Sequence, residues 1–417
     1  MQLTHDTKGY PGHWPDLPLK DVGRQGWNVL AGDLPLPLAV LKDSALRHNL
    51  AWMRDFCQQR GLDIAPHGKT TMSPELYARQ LAAGAWGISF ATVFQAGVGA
   101  RHGVERVLIA NQVLQAADLD TLAALLREFP RLRACFLVDS REQLKRIEQW
   151  RSQRGATTVF DVLLELGIEG KRTGCRGEAQ AIEVARALRQ SPAVRLVGIE
   201  CYEGGLATCQ SEQDRIAVDA LMTRLHLVAR ACDAQDLFEG EEVLVTAGGS
   251  AVFDLVATHL KPQLQRPVRG ILRSGCYLTH DHVHYRQMLH CVGERLQLRE
   301  TLRPAIEILS VVQSCPEPGL ALLTMGKRDV SFDMDLPVPL WRASDPDTLT
   351  PVPQDWRITA LNDQHAYLRY DDTTHAPRVG EMVGNGISHP CTTFDKWRWM
   401  PVVDDAYRVT DAVSLHF

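Results

Sequence analysis

From about residue 38 to residue 275, short runs rich in β-branched residues alternate with longer stretches that have helical spacing. "LAVLK" (38–42) reads as a strand, and a helical pattern follows from Ser44 to Arg60. Apolar runs then occur at "LDIAP" (62–66), "GISFA" (87–91), "RVLIA" (106–110), "RACFLVD" (133–139), "VFDVLLELG" (159–167), "VRLVGIEC" (194–201), "EEVLVTAG" (241–248) and "VRGILRSG" (268–275). Helical segments such as "SPELYARQLAAG" and "GEAQAIEVARALRQS" lie between most of them. Strand alternating with helix implies parallel βαβ units. With 38–42 set aside as a lead-in, eight strands remain, the number that closes a (β/α)8 TIM barrel. An open doubly wound sheet is the alternative. The absence of G-x-G-x-x-G after the first strand weighs against its dinucleotide-binding form.

Beyond residue 276 the helical spacing fades. Runs such as "AIEILSVVQS", "LALLTM", "WRITALN" and "AYLRY" alternate with Pro, Asp and Gly, the pattern of a mainly antiparallel β domain. The expected organisation is an N-terminal arm over 1–36 packed on the β domain, a barrel over 37–275, and a C-terminal β domain over 276–417. The chain is 45% hydrophobic and 23% charged, with a net charge of -5 and no basic stripe, which argues against a nucleic-acid partner. No apolar h-region opens the chain, and no run approaches the roughly 20 residues that span a bilayer, so no membrane association is expected. Ten scattered cysteines without a secretory signal suit reduced thiols in a cytoplasmic protein.

In a (β/α)8 barrel the active site lies at the C-terminal ends of the strands. The first barrel strand runs into "APHGKTT" (65–71), which places Lys69 at the barrel mouth. A lysine there is either a solvated or phosphate-pairing cation, or an amine made nucleophilic by burial. Position alone does not choose between them. His67 lies two residues earlier and helps set the lysine's surroundings. "TAGGSAVF" (246–253) reads as a strand, a Gly-Gly-Ser turn and a helix start. Gly248, Gly249 and Ser250 are therefore candidates to hold an anion through backbone N–H groups.

Far downstream, "GISHPCTTFD" (386–395) contains His389 and Cys391. On an extended segment, residues i and i+2 face the same side. Imidazole plus thiolate suits Zn2+ and leaves positions open, as a catalytic rather than a structural site does. "THDHVHY" (279–285) offers His280, His282 and His284 at alternate spacing, either as a metal cluster or as part of the barrel entrance.

"PHGKTT" resembles the cofactor-lysine motif of the D-serine dehydratase and D-threonine aldolase family, whose barrel is of the alanine racemase type and whose cofactor is pyridoxal 5'-phosphate (PLP). The resemblance runs from about residue 35 to the C-terminus. Where members usually read "RPHxKTHK", this chain has Ala65 for the arginine and Thr71-Met72 for the His-Lys pair, which places it in a divergent branch. "GKRTGC" (170–175) resembles the family's "RTG" turn, and this implies that Arg172 lies near the cofactor ring. "GIECYEGG" (198–205) resembles "GxxxYxG", which implies Tyr202 packs on or beside that ring. "RSGCYL" (273–278) resembles "RPGSY" and adds Gly275 and Cys276 to the phosphate-binding backbone. His389 and Cys391 resemble the family's "PxHxC" zinc pair. "DQHAYL" (363–368) resembles "EHG" and brings His365 into consideration.

The resemblance implies a PLP lyase acting on a small D-3-hydroxy amino acid. D-serine dehydratase comes first, giving pyruvate and ammonia with metal-assisted loss of the β-hydroxyl. D-threonine aldolase, giving glycine and acetaldehyde, is the alternative. An amino-acid racemase and a non-catalytic PLP-binding protein are the readings outside this class. The family also implies a homodimer with the site near the interface.

Overall fold

The computed structural model describes residues 1–208, 211–346 and 348–417. The eight expected barrel strands all form: β2 (Asp63–Ile64), β3 (Ile88–Phe90), β4 (Arg106–Gln112), β5 (Arg133–Val138), β6 (Phe160–Leu166), β7 (Val194–Cys201), β8 (Val243–Ala247) and β9 (Val268–Leu272). They follow one another in a single parallel sheet, with β2 beside β9. The ring closes between β2 and β3, where Trp86 N–H donates to Ile64 O (2.8 Å) and Ser89 N–H donates to Pro66 O (2.9 Å). The result is a (β/α)8 barrel of the alanine racemase type with a C-terminal antiparallel sheet domain.

The strands read as continuous apolar runs because both faces are buried. Their side chains alternate between two separate cores. Val162, Leu164, Ile199, Val245 and Leu272 pack outward under the helices. Ala65, Leu108, Leu137, Leu163, Leu244 and Ile271 fill the barrel interior. Two residues further along four of these strands, the inward positions are His67, Glu165, Thr246 and Arg273. Above an apolar plug, the upper end of the barrel is therefore lined by polar and ionisable groups.

The strand at 38–42 does not belong with the barrel. This strand, β1 (Leu38–Lys42), pairs antiparallel with β10 (Ile306–Glu317) and parallel with β17 (Trp399–Val403). It is an inner strand of the ten-stranded second sheet, so a boundary at 37 separates it from its own sheet. The chain crosses to the barrel through helix α1 (Asp43–Gln59). The main path of the second sheet runs β13 (Thr350–Pro351), β12 (Val338–Ala343), β16 (Met382–Gly386), β10, β11 (Leu320–Leu323), β15 (Ala366–Arg369), β14 (Arg357–Leu361), and β17 also pairs with β18 (Val409–Ser414). A further helix, His284–Leu296, interrupts the expected β region. Its buried stripe consists only of Leu289 and Val292, too little to show as periodicity.

The arm over 1–36 lies on the second sheet. Val409 N–H donates to Trp27 O (2.8 Å), and Val29 N–H donates to Tyr407 O (3.1 Å). The indole of Trp399 donates to Lys8 O (2.9 Å). Among the described residues no helix is long and apolar enough to cross a membrane. No disulfide joins the described cysteines.

Candidate active site

A cavity of about 620 Å³ opens at the C-terminal ends of the barrel strands. It gathers Lys69, His67, Arg172, Tyr202, Gly248, Gly249, Ser250, Gly275, Cys276, His389 and Cys391 in its wall. Eleven positions spread over more than 300 residues of sequence thus meet in one place.

Lys69 sits on a single 3-10 turn, Gly68–Thr70, just past β2. The turn is wedged in place: a Cβ on Gly68 would lie 2.7 Å from Ile88 and 2.8 Å from Phe90, and the phenol of Tyr77 donates to Gly68 O (2.9 Å). The lysine Nζ has no hydrogen-bond or ion-pair partner among the described residues. Burial, then Lys69, then Arg273 hold the His67 imidazole well below its ordinary pKa, so the ring is neutral. Its Nδ1 is buried without a partner.

Arg172 is exposed on the turn after β6, and its guanidinium carbon stands 5.0 Å from the centre of the Tyr202 ring. Tyr202 itself is 37% exposed. Burial raises its phenol above the ordinary range, and neighbouring Glu203 adds to this.

The Gly-Gly-Ser turn differs from its sequence reading. The N–H groups of Gly248 and Gly249 donate to the fully buried Glu203 carboxylate, at 3.0 Å and 2.5 Å. The helix that follows begins only at Phe253 and runs just five residues, to Ala257. The anion site therefore cannot rest on those two amides or on a helix dipole. The N–H groups of Ser250, Ala251, Gly275 and Cys276, by contrast, have no acceptor among the described residues. A Cβ on Gly275 would stand 2.6 Å from His67 O, so only glycine brings this backbone so close to β2. Four open donors in two facing turns suit a phosphate, and Lys69 stands in the same cavity. The residues present thus fit PLP, with Ser250, Gly275 and Cys276 as its holders.

Three groups that the sequence reading did not single out complete the floor. Glu165 on β6 and Glu200 on β7 are register partners on neighbouring strands, so their side chains lie side by side facing inward. Glu200 is 1% exposed and Arg273 is 5% exposed, and the guanidinium donates to the Glu200 carboxylate and to Cys201 O (2.8 Å). Glu165 accepts from Gln112 and from Thr173 (2.8 Å). Glu200 Oε1 has no donor, although the Glu165 carboxyl is within hydrogen-bonding reach. Two ionised carboxylates side by side repel, which favours the protonated form of a buried one. Burial foremost, with Glu165 adding to it and Arg273 opposing, pushes the Glu200 carboxyl up to about 8. The inward positions two residues past the interior core would have revealed this layer. The strand parity was readable, but not which parity faced inward.

His389 and Cys391 meet, but not by strand geometry. Pro390 is helical in backbone, and Cys391 opens the four-residue helix Cys391–Phe394. His389 Nδ1 bonds Asp333 Oδ2 at 2.7 Å, leaving Nε2 for another partner. An acid holding one ring nitrogen while the other is free is the usual setting of a metal-bound histidine. Burial lowers the His389 imidazole, but Cys391 and Asp333 outweigh it and bring it to about 9. The contact between the two sulfurs lowers the Cys391 thiol well below its ordinary range and raises that of Cys276, to which burial adds. The donor set fits a soft divalent ion held by two protein ligands. No group of three or more His, Cys, Asp or Glu among the described residues encloses a metal position.

The other histidines do not form a cluster. His280 is buried, with Nδ1 against Asp281 O (2.9 Å). His282 packs against Gly386 of β16. Only His284 reaches the cavity. His365 lies in the tight turn between β14 and β15, where its carbonyl accepts from Asn362 N–H (2.9 Å), and it does not line the cavity.

A barrel with a lysine after its first strand, a phosphate-type cradle on its last two strands and a β domain facing its mouth defines the fold type III class of PLP enzymes. The chain belongs to that class: residues 42–288 match the family described as "Alanine racemase, N-terminal domain", and residues 305–403 match the "Putative serine dehydratase domain". Among its relatives, D-threonine aldolase of Arthrobacter sp. is 27% identical over 88% of this chain and 89% of its own length. The 3-hydroxy-D-aspartate aldolase of Paracoccus denitrificans (strain Pd 1222) is 25% identical over 73% of this chain and 75% of its own. Two solved structures share the fold. D-threonine aldolase from Filomicrobium marinum has a TM-score of 0.75 at 23% identity, covering 92% of this chain and 95% of that one. D-threo-3-hydroxyaspartate dehydratase from Delftia sp. HT23 has a TM-score of 0.70 at 20% identity, covering 94% and 99%.

Proposed function

We propose that this chain is a PLP-dependent lyase of D-3-hydroxy amino acids, with D-serine dehydration to pyruvate and ammonia as its reaction. One observation carries the reading: the unpartnered Lys69 amine shares a single cavity with four open backbone donors on one side and the His389–Cys391 pair on the other. When bound, PLP supplies an electron sink for a Cα carbanion, and a soft divalent ion, with zinc the best match to the donors, supplies Lewis acidity toward a hydroxyl. The protein's own groups do the rest. Lys69 would hold the cofactor, and its amine would take the α-proton. Tyr202, with Arg172 over its face, would flank the cofactor ring. Asp333 orients His389. The neutral His67 lets Lys69 act without a second cation beside it.

A retro-aldol cleavage is the second reading, favoured by the match to D-threonine aldolase over most of the chain. Cys391 weighs toward dehydration, because a thiolate selects zinc. A dehydratase of the same fold has also been solved as a cysteine-to-alanine mutant in the metal-free form. We also propose that the enzyme is a homodimer. Met334, 49% exposed in the cavity wall, and Phe332, 45% exposed two residues before it, supply apolar surface for it.

The test is spectroscopic and kinetic. The lysine-bound cofactor absorbs at about 420 nm, and Lys69→Ala should abolish that band. D-serine, D-threonine and 3-hydroxy-D-aspartate are then assayed with and without chelator. Pyruvate from D-serine, lost on chelation, is the expected result. Acetaldehyde from D-threonine without pyruvate from D-serine selects the aldolase, and racemisation without cleavage overturns both.

A further inference from the structure

We propose that Cys276 is a third protein ligand of the metal, making the site His389, Cys391 and Cys276. This rests on the reading above that His389 and Cys391 hold a soft divalent ion. The Sγ atoms of Cys276 and Cys391 are 3.9 Å apart. Two sulfurs bound to one tetrahedral zinc through bonds of about 2.3 Å stand about 3.8 Å apart, so the pair already has the spacing of two thiolates on one ion. A single hydroxyl touches both: Thr70 Oγ1 lies 3.4 Å from the Cys391 sulfur and 3.8 Å from the Cys276 sulfur. Both thiols thus lie against one hydroxyl and against each other, and both line the cavity.

The backbone positions also favour this. Cys276 opens a 3-10 turn at the end of the barrel, directly after Gly275, which is pressed against His67. Cys391 comes from the second domain. An ion held by both would tie the barrel to the β domain beside Lys69. The chain here departs from the motif it resembles, "RPGSY", by carrying a cysteine in place of the serine. A serine hydroxyl is a poor zinc ligand, whereas a thiolate is among the best. As the side chains stand, the three groups do not enclose one point. The inference is that the ion draws both sulfurs and the imidazole onto itself, leaving Thr70 to donate to a thiolate. A third protein ligand leaves one tetrahedral position for the substrate hydroxyl instead of two. It would also hold the metal more tightly.

Zinc-edge X-ray absorption on the zinc-loaded holoenzyme counts the sulfurs directly. Wild type should show two sulfurs at about 2.3 Å, and Cys276→Ser and Cys391→Ser should each show one. In chelator competition Cys276→Ser should weaken zinc binding by at least about tenfold, within the range seen when a metal's protein environment is altered. Cys276→Ala, read the same way, guards against a serine oxygen filling the gap, and retention of the cofactor band shows that each variant keeps its pocket. One sulfur in wild type, unchanged in Cys276→Ser but lost in Cys391→Ser, overturns the third ligand while leaving the two-ligand site intact. Failure of wild type to hold zinc stoichiometrically overturns both.

Discussion

At the scale of single residues the site is governed by where charge is left without a partner and where it is doubled. Lys69 is the first case. Glu165 and Glu200 are the second, since two buried acids stand side by side and the arginine pairs with Glu200. The sign of the resulting pH dependence follows from Glu200. Its carboxyl is held up to about 8, from an ordinary value of 4.5. Between those values the folded protein keeps a proton that the unfolded chain releases. The contribution to stability is complete below the lower value and is lost as pH rises through the upper one. Urea midpoints of wild type should therefore fall between pH 5 and pH 9 more steeply than those of Glu200→Gln, which carries no ionisable group there. Parallel slopes would show that Glu200 does not keep its proton in the folded protein. Glu203 was also unforeseen. It stands beside Tyr202 in "CYEGG", but nothing local says that its carboxylate will take the Gly248 and Gly249 amides.

At the scale of elements, the barrel depends on strands approaching more closely than side chains normally allow. Gly198 in β7 faces the backbone of β8, and a Cβ there would collide with Leu244 O. Gly198→Ala should push these strands apart and cost about 1–3 kcal/mol, the usual range for overpacking a core. Thermal unfolding measures it, and an unchanged Tm would refute the close approach. The eight barrel strands were legible because each is a short apolar run bounded by turn residues. The helix His284–Leu296 was not, since only Leu289 and Val292 of it are buried. The His389–Cys391 pairing was anticipated for the wrong reason: a turn brings the two side chains together, not strand alternation.

At the scale of the whole molecule, the two domains are interlocked by β1, which precedes the barrel in sequence yet lies between β10 and β17 in the second sheet. A chain beginning at residue 43 would leave unpaired the edge of β10 at Ile306–Leu309 and that of β17 at Val402–Val403, and uncovered strand edges invite aggregation. Such a truncation should be insoluble or lose the sheet signal in circular dichroism, and a soluble, cofactor-binding truncation would contradict the interlock. The proposed homodimer predicts a light-scattering mass of twice the 46.5 kDa chain, falling toward one chain when Phe332 and Met334 are both made polar.

The sequence by itself determined the barrel, its eight strands and the placing of Lys69 and Gly275 at one mouth, whereas the downstream His-Cys pair was tied to that mouth only by a family resemblance. The former follow from local periodicity and from the rule that barrel loops converge at the strand ends. Only the tertiary structure decided which sheet receives residues 38–42, which parity of each strand faces inward, and which carboxylate occupies the two glycine amides that the sequence had offered to an anion. Those outcomes depend on contacts between residues far apart in the chain. A hydrogen bond or a buried charge finds its partner only when the whole fold has closed around it.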